Sequence, residues 1–143
     1  MTVIAWDGRT LAADKRAVNG TLPRTTTKIF RTEGRLVGTS GDQSVALQML
    51  DWYRNGREAK DFPKSAEDDS ASLLVIEPNR SVWMYTTGPV AAEFHDRQFA
   101  IGSGRDFAIA AMHLGKSARE AVEIACMFDN YCGNGIDALE LES

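Results

Sequence analysis

The spacing of apolar residues changes several times along the chain, and each change marks an expected element. Val3 to Trp6 and Arg9 to Ala13 flank an Asp7-Gly8 pair, and strand formers around a dipeptide that accepts positive φ predict a β-hairpin. A looser polar segment follows, carrying Asn19-Gly20 and Pro23. Lys28 to Arg31 and Arg35 to Thr39 then predict a second antiparallel pair turning at Glu33-Gly34. After Ser40-Gly41 the period becomes helical, with Val45, Ala46, Met49, Leu50 and Tyr53 on one face and Asn55-Gly56 as the stop. Residues 57–70, REAKDFPKSAEDDS, are polar and contain Pro63, so a loop with at most a short helical turn is expected.

A third hairpin is predicted from Leu73 to Ile76 and Ser81 to Tyr85 around Pro78-Asn79. Phe99 to Gly102 reads as a strand, and two helices follow. One runs from Asp106 to Leu114 and stops at Gly115. The other runs from Ser117 to about Phe128 and opens with a Ser117…Glu120 capping box. Ile136 to Leu141 alternates weakly as a closing strand. Grouped antiparallel strands with helices between them predict an α+β layered domain spanning residues 1–143, with two sheets face to face and helices outside. Element order alone does not separate this arrangement from other α+β folds.

Composition narrows the function classes. The 143 residues suit one domain with a real core, and 43% hydrophobic with 25% charged content is ordinary for a globular protein. Acidic residues outnumber basic ones 20 to 16, for a net charge of -4, and no Lys/Arg run occurs. No nucleic-acid partner is therefore expected. Apolar runs such as Leu73 to Ile76 are too short to span a bilayer, and no signal-peptide pattern is present, so a cytoplasmic protein with no membrane association is expected. Cys126 and Cys132 make no disulfide framework and, with two histidines, no metal site.

Candidate chemistry begins at Thr2. A threonine hydroxyl needs a base, and an N-terminal threonine carries one in its own α-amine, whose pKa lies at roughly 7.7–8.0. Removal of Met1 would expose it; alternatively Thr2 only begins a strand. Asp14, on the returning arm of the first hairpin, can approach Thr2, and Lys28 opens another strand. An ammonium near an α-amine lowers its pKa, and a carboxylate fixes the ammonium, although a solvated ion pair has the same residue types. Gly41, between a strand and a helix, suits an oxyanion N–H or simply a tight turn. Gly102-Ser103-Gly104 hints at a phosphate turn, but Phe107 stands where the dinucleotide fingerprint needs its third glycine. Asp129 and Cys132 fit a capping residue and a small buried one.

In this order the elements resemble the proteasome β-type N-terminal nucleophile (Ntn) hydrolases, most closely HslV-type peptidases and their smaller bacterial relatives. The matching residues are Thr2, Asp14-Lys15-Arg16-Ala17, Lys28, Ser40-Gly41, Ala100 to Gly104 and Asp129-x-x-Cys132-Gly133. The resemblance implies a four-layer αββα sandwich, with one helix shortened or missing at residues 57–70. It implies a threonine-type endopeptidase with Thr2 as nucleophile and base, Lys28 tuning the amine, Asp14 orienting Lys28 and the Gly41 N–H as oxyanion donor. Ser103, Asp129 and Cys132 would hydrogen-bond around the amine, with Cys132 where the family usually has serine. Thr39 and Gln43 are expected in the substrate pocket. No cofactor is implied; the implied partners are peptide or unfolded-protein substrates, further copies in a homo-oligomeric ring, and an ATPase unfoldase. An inactive scaffold subunit and a small-molecule Ntn amidase are the alternatives. The separation of Thr2 from Asp14, twelve positions (14 − 2), is shorter than in the better-known members.

Overall fold

Asp7 and Gly8 turn the first hairpin as expected. β1 (Ile4–Trp6) and β2 (Thr10–Asp14) pair antiparallel with Ala5 opposite Ala12. Gly8 has φ 95°, and Asp7 Oδ1 accepts from the N–H groups of Arg9 and Thr10 at 2.9 and 2.8 Å. The structure, a computed structural model, describes residues 1–142.

The segment expected to be loose forms a hairpin instead, β3 (Arg16–Asn19) with β4 (Leu22–Thr25). Every residue of β4 is exposed, so no buried face imposes alternation on the sequence, and Pro23 is tolerated on an edge. β5 (Ile29–Thr32) and β6 (Arg35–Gly41) turn through Glu33 and Gly34, both at positive φ. Asp42 caps α1 (Gln43–Arg54), its Oδ1 accepting from the Val45 N–H at 3.1 Å. Residues 57–70 hold only two 3₁₀ turns, Ala59–Asp61 and Lys64–Ala66. Phe62 anchors that segment edge-on to Trp52, with ring centroids 4.9 Å apart.

β7 (Ala71–Ile76) and β8 (Val82–Tyr85) form the third hairpin. A short edge strand, β9 (Ala92–Phe94), was not expected; its three residues carry too little pattern to read. β10 (Phe99–Ile101), α2 (Arg105–His113), α3 (Ala118–Phe128) and β11 (Ile136–Glu140) complete the chain. The capping box at Ser117 and Glu120 is formed in both directions.

The strands order as β10-β1-β2-β11 in one sheet and β5-β6-β7-β8-β9 in the other, with every pairing antiparallel. Side-chain alternation divides the central strands between two cores. Ile4, Trp6, Leu11 and Ala13 meet Ile29, Leu36, Leu74 and Ile76 between the sheets. Val3, Ala5 and Ala12 point the other way, into Ala108, Met112, Ala121, Val122 and Ala125 of α2 and α3. Val37, Leu73 and Val75 pack on Met49, Leu50, Trp52 and Tyr53 of α1. Burying each large aliphatic chain stabilises by about 1.5–3 kcal/mol, so these three interfaces fix where the strand ends lie. No helix among the described residues is long and apolar enough to cross a membrane.

Candidate active site

The mouth between the two sheets gathers Thr2, Asp14 and Lys28. The first hairpin sets Asp14 beside Val3: the Asp14 N–H donates to the Val3 carbonyl at 3.2 Å, and the Val3 N–H donates to Asp14 Oδ1 at 3.1 Å. Lys28 arrives from the residue before β5. Its Nζ donates to Asp14 Oδ1 at 2.8 Å, to Thr2 Oγ1 at 3.1 Å and to the Met1 carbonyl at 3.4 Å. Asp14 Oδ2 accepts from the N–H groups of Arg16 and Gly133 at 3.1 and 3.0 Å. The pair is not a solvated one, since the Lys28 and Asp14 side chains are 7% and 0% exposed. Desolvating two charges is costly, and three backbone N–H groups on the carboxylate help offset it. The Lys28 ammonium donates to Thr2 Oγ1, an arrangement that favours negative charge on that oxygen.

The nitrogen of Thr2 faces a second chain of groups. Its N–H donates to Ser103 Oγ at 3.2 Å, and the Ser103 hydroxyl donates to Asp129 Oδ2 at 2.6 Å. The Tyr131 N–H donates to Asp129 Oδ1 at 2.9 Å, and the Cys132 thiol donates to Asp129 Oδ2 at 3.4 Å. Ser103 therefore touches the Thr2 nitrogen, while Asp129 and Cys132 stand behind Ser103. Burial pushes the Asp129 carboxyl up, but the bonds from Ser103, Tyr131 and Cys132 outweigh it and hold the group below its ordinary value. Burial, then the carboxylates of Asp14 and Asp129, pushes the Cys132 thiol up to about 12. It is a protonated donor at neutral pH and a poor nucleophile.

The Gly-Ser-Gly turn is shaped around Thr2. Gly102 has φ 96°, and a side chain there would run into the Thr2 carbonyl. The Gly104 N–H donates to that carbonyl at 3.1 Å, and a Cβ on Gly104 would stand 3.0 Å from Val3 Cβ. The turn holds a threonine where a phosphate turn would hold its ligand.

Gly41 ends β6 at φ 92°, where a Cβ would press on the Ser70 carbonyl and stand 2.7 Å from Ala71 Cα. Close strand approach thus requires this glycine, whatever else it does. Gly41 and Thr2 share a cavity of about 280 Å³ whose walls include Lys28, Thr39, Ser40, Asp42 and Gln43. The buried Thr39 hydroxyl donates to the Lys28 carbonyl at 3.2 Å, and Gln43 Nε2 donates to Thr26 Oγ1 at 2.7 Å. A larger open groove of about 690 Å³ runs along α1 and holds none of these groups. Among the described residues no three His, Cys, Asp or Glu side chains gather as a metal site.

Arg16 is the residue whose part sequence reasoning left unassigned, although it lies in the Asp14-to-Ala17 motif. Its Nε donates to Asn134 Oδ1 at 2.9 Å and its Nη1 to the Asn130 carbonyl at 2.8 Å. The guanidinium lies against Gly133, where a Cβ would meet Arg16 Cζ at 2.8 Å. It binds the loop after α3, which carries Asp129, Cys132 and the Gly133 N–H, to the strand that carries Asp14.

Neither a family model nor a curated protein matches the sequence. Solved structures do match, over the full length. BPH of Thiobacillus denitrificans in complex with epoxomicin superposes with a TM-score of 0.73 at 19% identity, covering 100% of both chains. HslV from Trypanosoma brucei superposes with a TM-score of 0.74 at 22% identity, covering 99% of both. The chain has the HslV fold. BPH alone gives a TM-score of 0.70 at 20% identity, over 99% of this chain and 98% of that one. With so few identical residues, the HslV fold bounds where a site can lie, and the hydrogen bonds around Thr2 say which groups are there.

Proposed function

We propose that this chain is a threonine-type endopeptidase of the Ntn hydrolase class, a single four-layer αββα domain over residues 1–143. The carrying observation is the buried Asp14–Lys28–Thr2 Oγ1 chain, met on the nitrogen side of the same threonine by Ser103 and Asp129. Removal of the exposed Met1 turns the Thr2 nitrogen from a peptide N–H into an amine. The amine takes the hydroxyl proton as Oγ1 attacks the peptide carbonyl, and the Gly41 N–H stabilises the resulting oxyanion. The same proton passes to the departing amine, leaving an ester on Thr2. Water, activated by the Thr2 amine, then hydrolyses that ester. Lys28 keeps the amine neutral at working pH, and Asp14 keeps Lys28 in place.

The substrate lies in the cavity beside Thr39 and Gln43 as a peptide or unfolded chain. The complex of BPH with epoxomicin supports this reading, because it is a chain of the same fold with that compound bound. Further copies in a ring are the natural partners, served by an ATPase unfoldase. The exposed Phe107–Phe128 stack, with Met127 and Tyr131 nearby in the chain, is apolar surface that such an assembly would cover. A chain that keeps Met1 has no base at Thr2 and would serve only as scaffold.

The test is hydrolysis of a fluorogenic peptide series by the wild type and by Thr2→Ala. The variant keeps the Asp14–Lys28 pair and loses about 1 kcal/mol of hydrogen bonding. We expect it to fold and to show no turnover. Substantial turnover by Thr2→Ala would move the nucleophile elsewhere.

A further inference from the structure

At the end of β1 away from Thr2, connections from both sheets bring three arginines to one cavity. Trp6, Asp7, Gly8, Arg9, Arg80 and Arg97 line about 340 Å³. Arg9 follows the β1–β2 turn, Arg80 belongs to the β7–β8 turn, and Arg97 precedes β10. Two of them converge on a single glycine from different loops. Arg80 Nη1 donates to the Gly8 carbonyl at 3.1 Å, and a Cβ on Gly8 would meet Arg97 Cγ at 3.6 Å and Nε at 3.8 Å. Arg80 also has φ 71°, a backbone position whose ordinary occupant is glycine. The chain holds a long cation there instead.

Arg80 and Arg97 are in no ion pair among the described residues. Asp7 lines the same cavity, but both its carboxylate oxygens are engaged: Oδ1 accepts from the Arg9 and Thr10 N–H groups, and Oδ2 accepts from the Ala118 N–H at 2.9 Å. Glu77, close to Arg80 in sequence, is bound to Arg35 at 2.7 Å. The Arg9–Glu140 contact is 3.7 Å between two exposed side chains. Guanidinium groups held together with open N–H donors favour an oxyanion with two or more charges, which accepts from several of them at once.

We propose that this cavity binds a phosphate-class oxyanion between Arg80 and Arg97, with Arg9 closing from the third side. The site is independent of the peptidase reading, and its occupant is either free inorganic phosphate species or the phosphate chain of a nucleotide. Titration calorimetry on the full chain, in chloride buffer at fixed ionic strength, tests it with pyrophosphate, ATP and adenosine. Pyrophosphate should bind one to one with Kd below about 1 mM. Arg80→Gln and Arg97→Gln should each weaken binding at least about tenfold, a loss of about 1.4 kcal/mol. Lys60→Gln, which removes an equal charge from the Ala59–Asp61 turn, outside the cavity lining, should leave it unchanged. Circular dichroism melts confirm that the variants are folded; each removes an exposed side chain, so either one alone suffices. ATP binding about tenfold tighter than pyrophosphate, with adenosine silent, assigns the nucleotide source; equal affinity assigns the free anion. Absence of binding at about 10 mM pyrophosphate, or binding unchanged in both arginine variants, overturns the proposal.

Discussion

Thr2 Oγ1 accepts a hydrogen bond from an ammonium, and that ammonium is itself held by a fully buried carboxylate. Removing the charge but keeping the side-chain length separates chemistry from packing. Lys28→Met should lower kcat/KM at least about 100-fold if the Thr2 amine is the base, and should move the acidic limb of the pH–rate profile upward. It should also destabilise the fold by about 3–5 kcal/mol, because Asp14 is left unpaired. An unchanged rate would contradict the assignment of Lys28. Asp129 yields a pH prediction. Its folded value is depressed, so its contribution to stability is complete above the unfolded value of about 3.9 and is lost as pH falls through the folded one. The unfolding free-energy gap between wild type and Asp129→Asn should therefore be widest near neutrality and close below about pH 4. A gap constant from pH 7 to pH 3 would contradict it.

The elements explain why those side chains meet. β1 and β2 are held by register, α2 and α3 by small residues against the sheet, and the loop after α3 by Arg16. Arg16 positions two arms of the site at once, through the Gly133 N–H on Asp14 and through the loop that bears Asp129. Arg16→Ala should lower kcat about 10- to 100-fold, the scale of a displacement of about 1 Å, with little change in KM. Arg16→Lys should restore only part of it, because one ammonium does not span the two acceptors. A variant altered in KM alone would make Arg16 a substrate contact instead.

The elements with a buried face were legible in the sequence. Ile4, Trp6 and Leu11 announce the first hairpin, and Ala46, Met49, Leu50 and Tyr53 announce α1, because burial imposes a period on them. The β3–β4 hairpin escaped for the converse reason, since exposed β4 carries polar residues and Pro23 without penalty, and β9 is only three residues long. Among site residues, Asp14 and Lys28 were legible as charges near Thr2. The bond from Ser103 to Asp129 joins residues 26 positions apart, and that from Arg16 to Asn134 joins residues 118 apart. Local pattern carries no trace of either.

At the scale of the whole molecule, both sheets and the turns between them meet around residue 2. The HslV fold carries Thr2 to the mouth between the sheets, with nearly all of its surface covered by Lys28, Ser103 and the Gly102 turn. Only the side facing the 280 Å³ cavity is left open. Met1 stands at that opening, one of the lining residues and itself exposed, and its removal would turn the Thr2 nitrogen into a free amine. The most direct measurement is the intact mass of the purified protein before and after incubation with a peptide epoxyketone. That warhead closes a ring with both the amine and the hydroxyl of an N-terminal threonine. A chain lacking Met1 is expected to gain one equivalent of inhibitor, with no adduct in Thr2→Ala. A chain that has lost Met1, keeps the fold and still gains no adduct would contradict the assignment of Thr2.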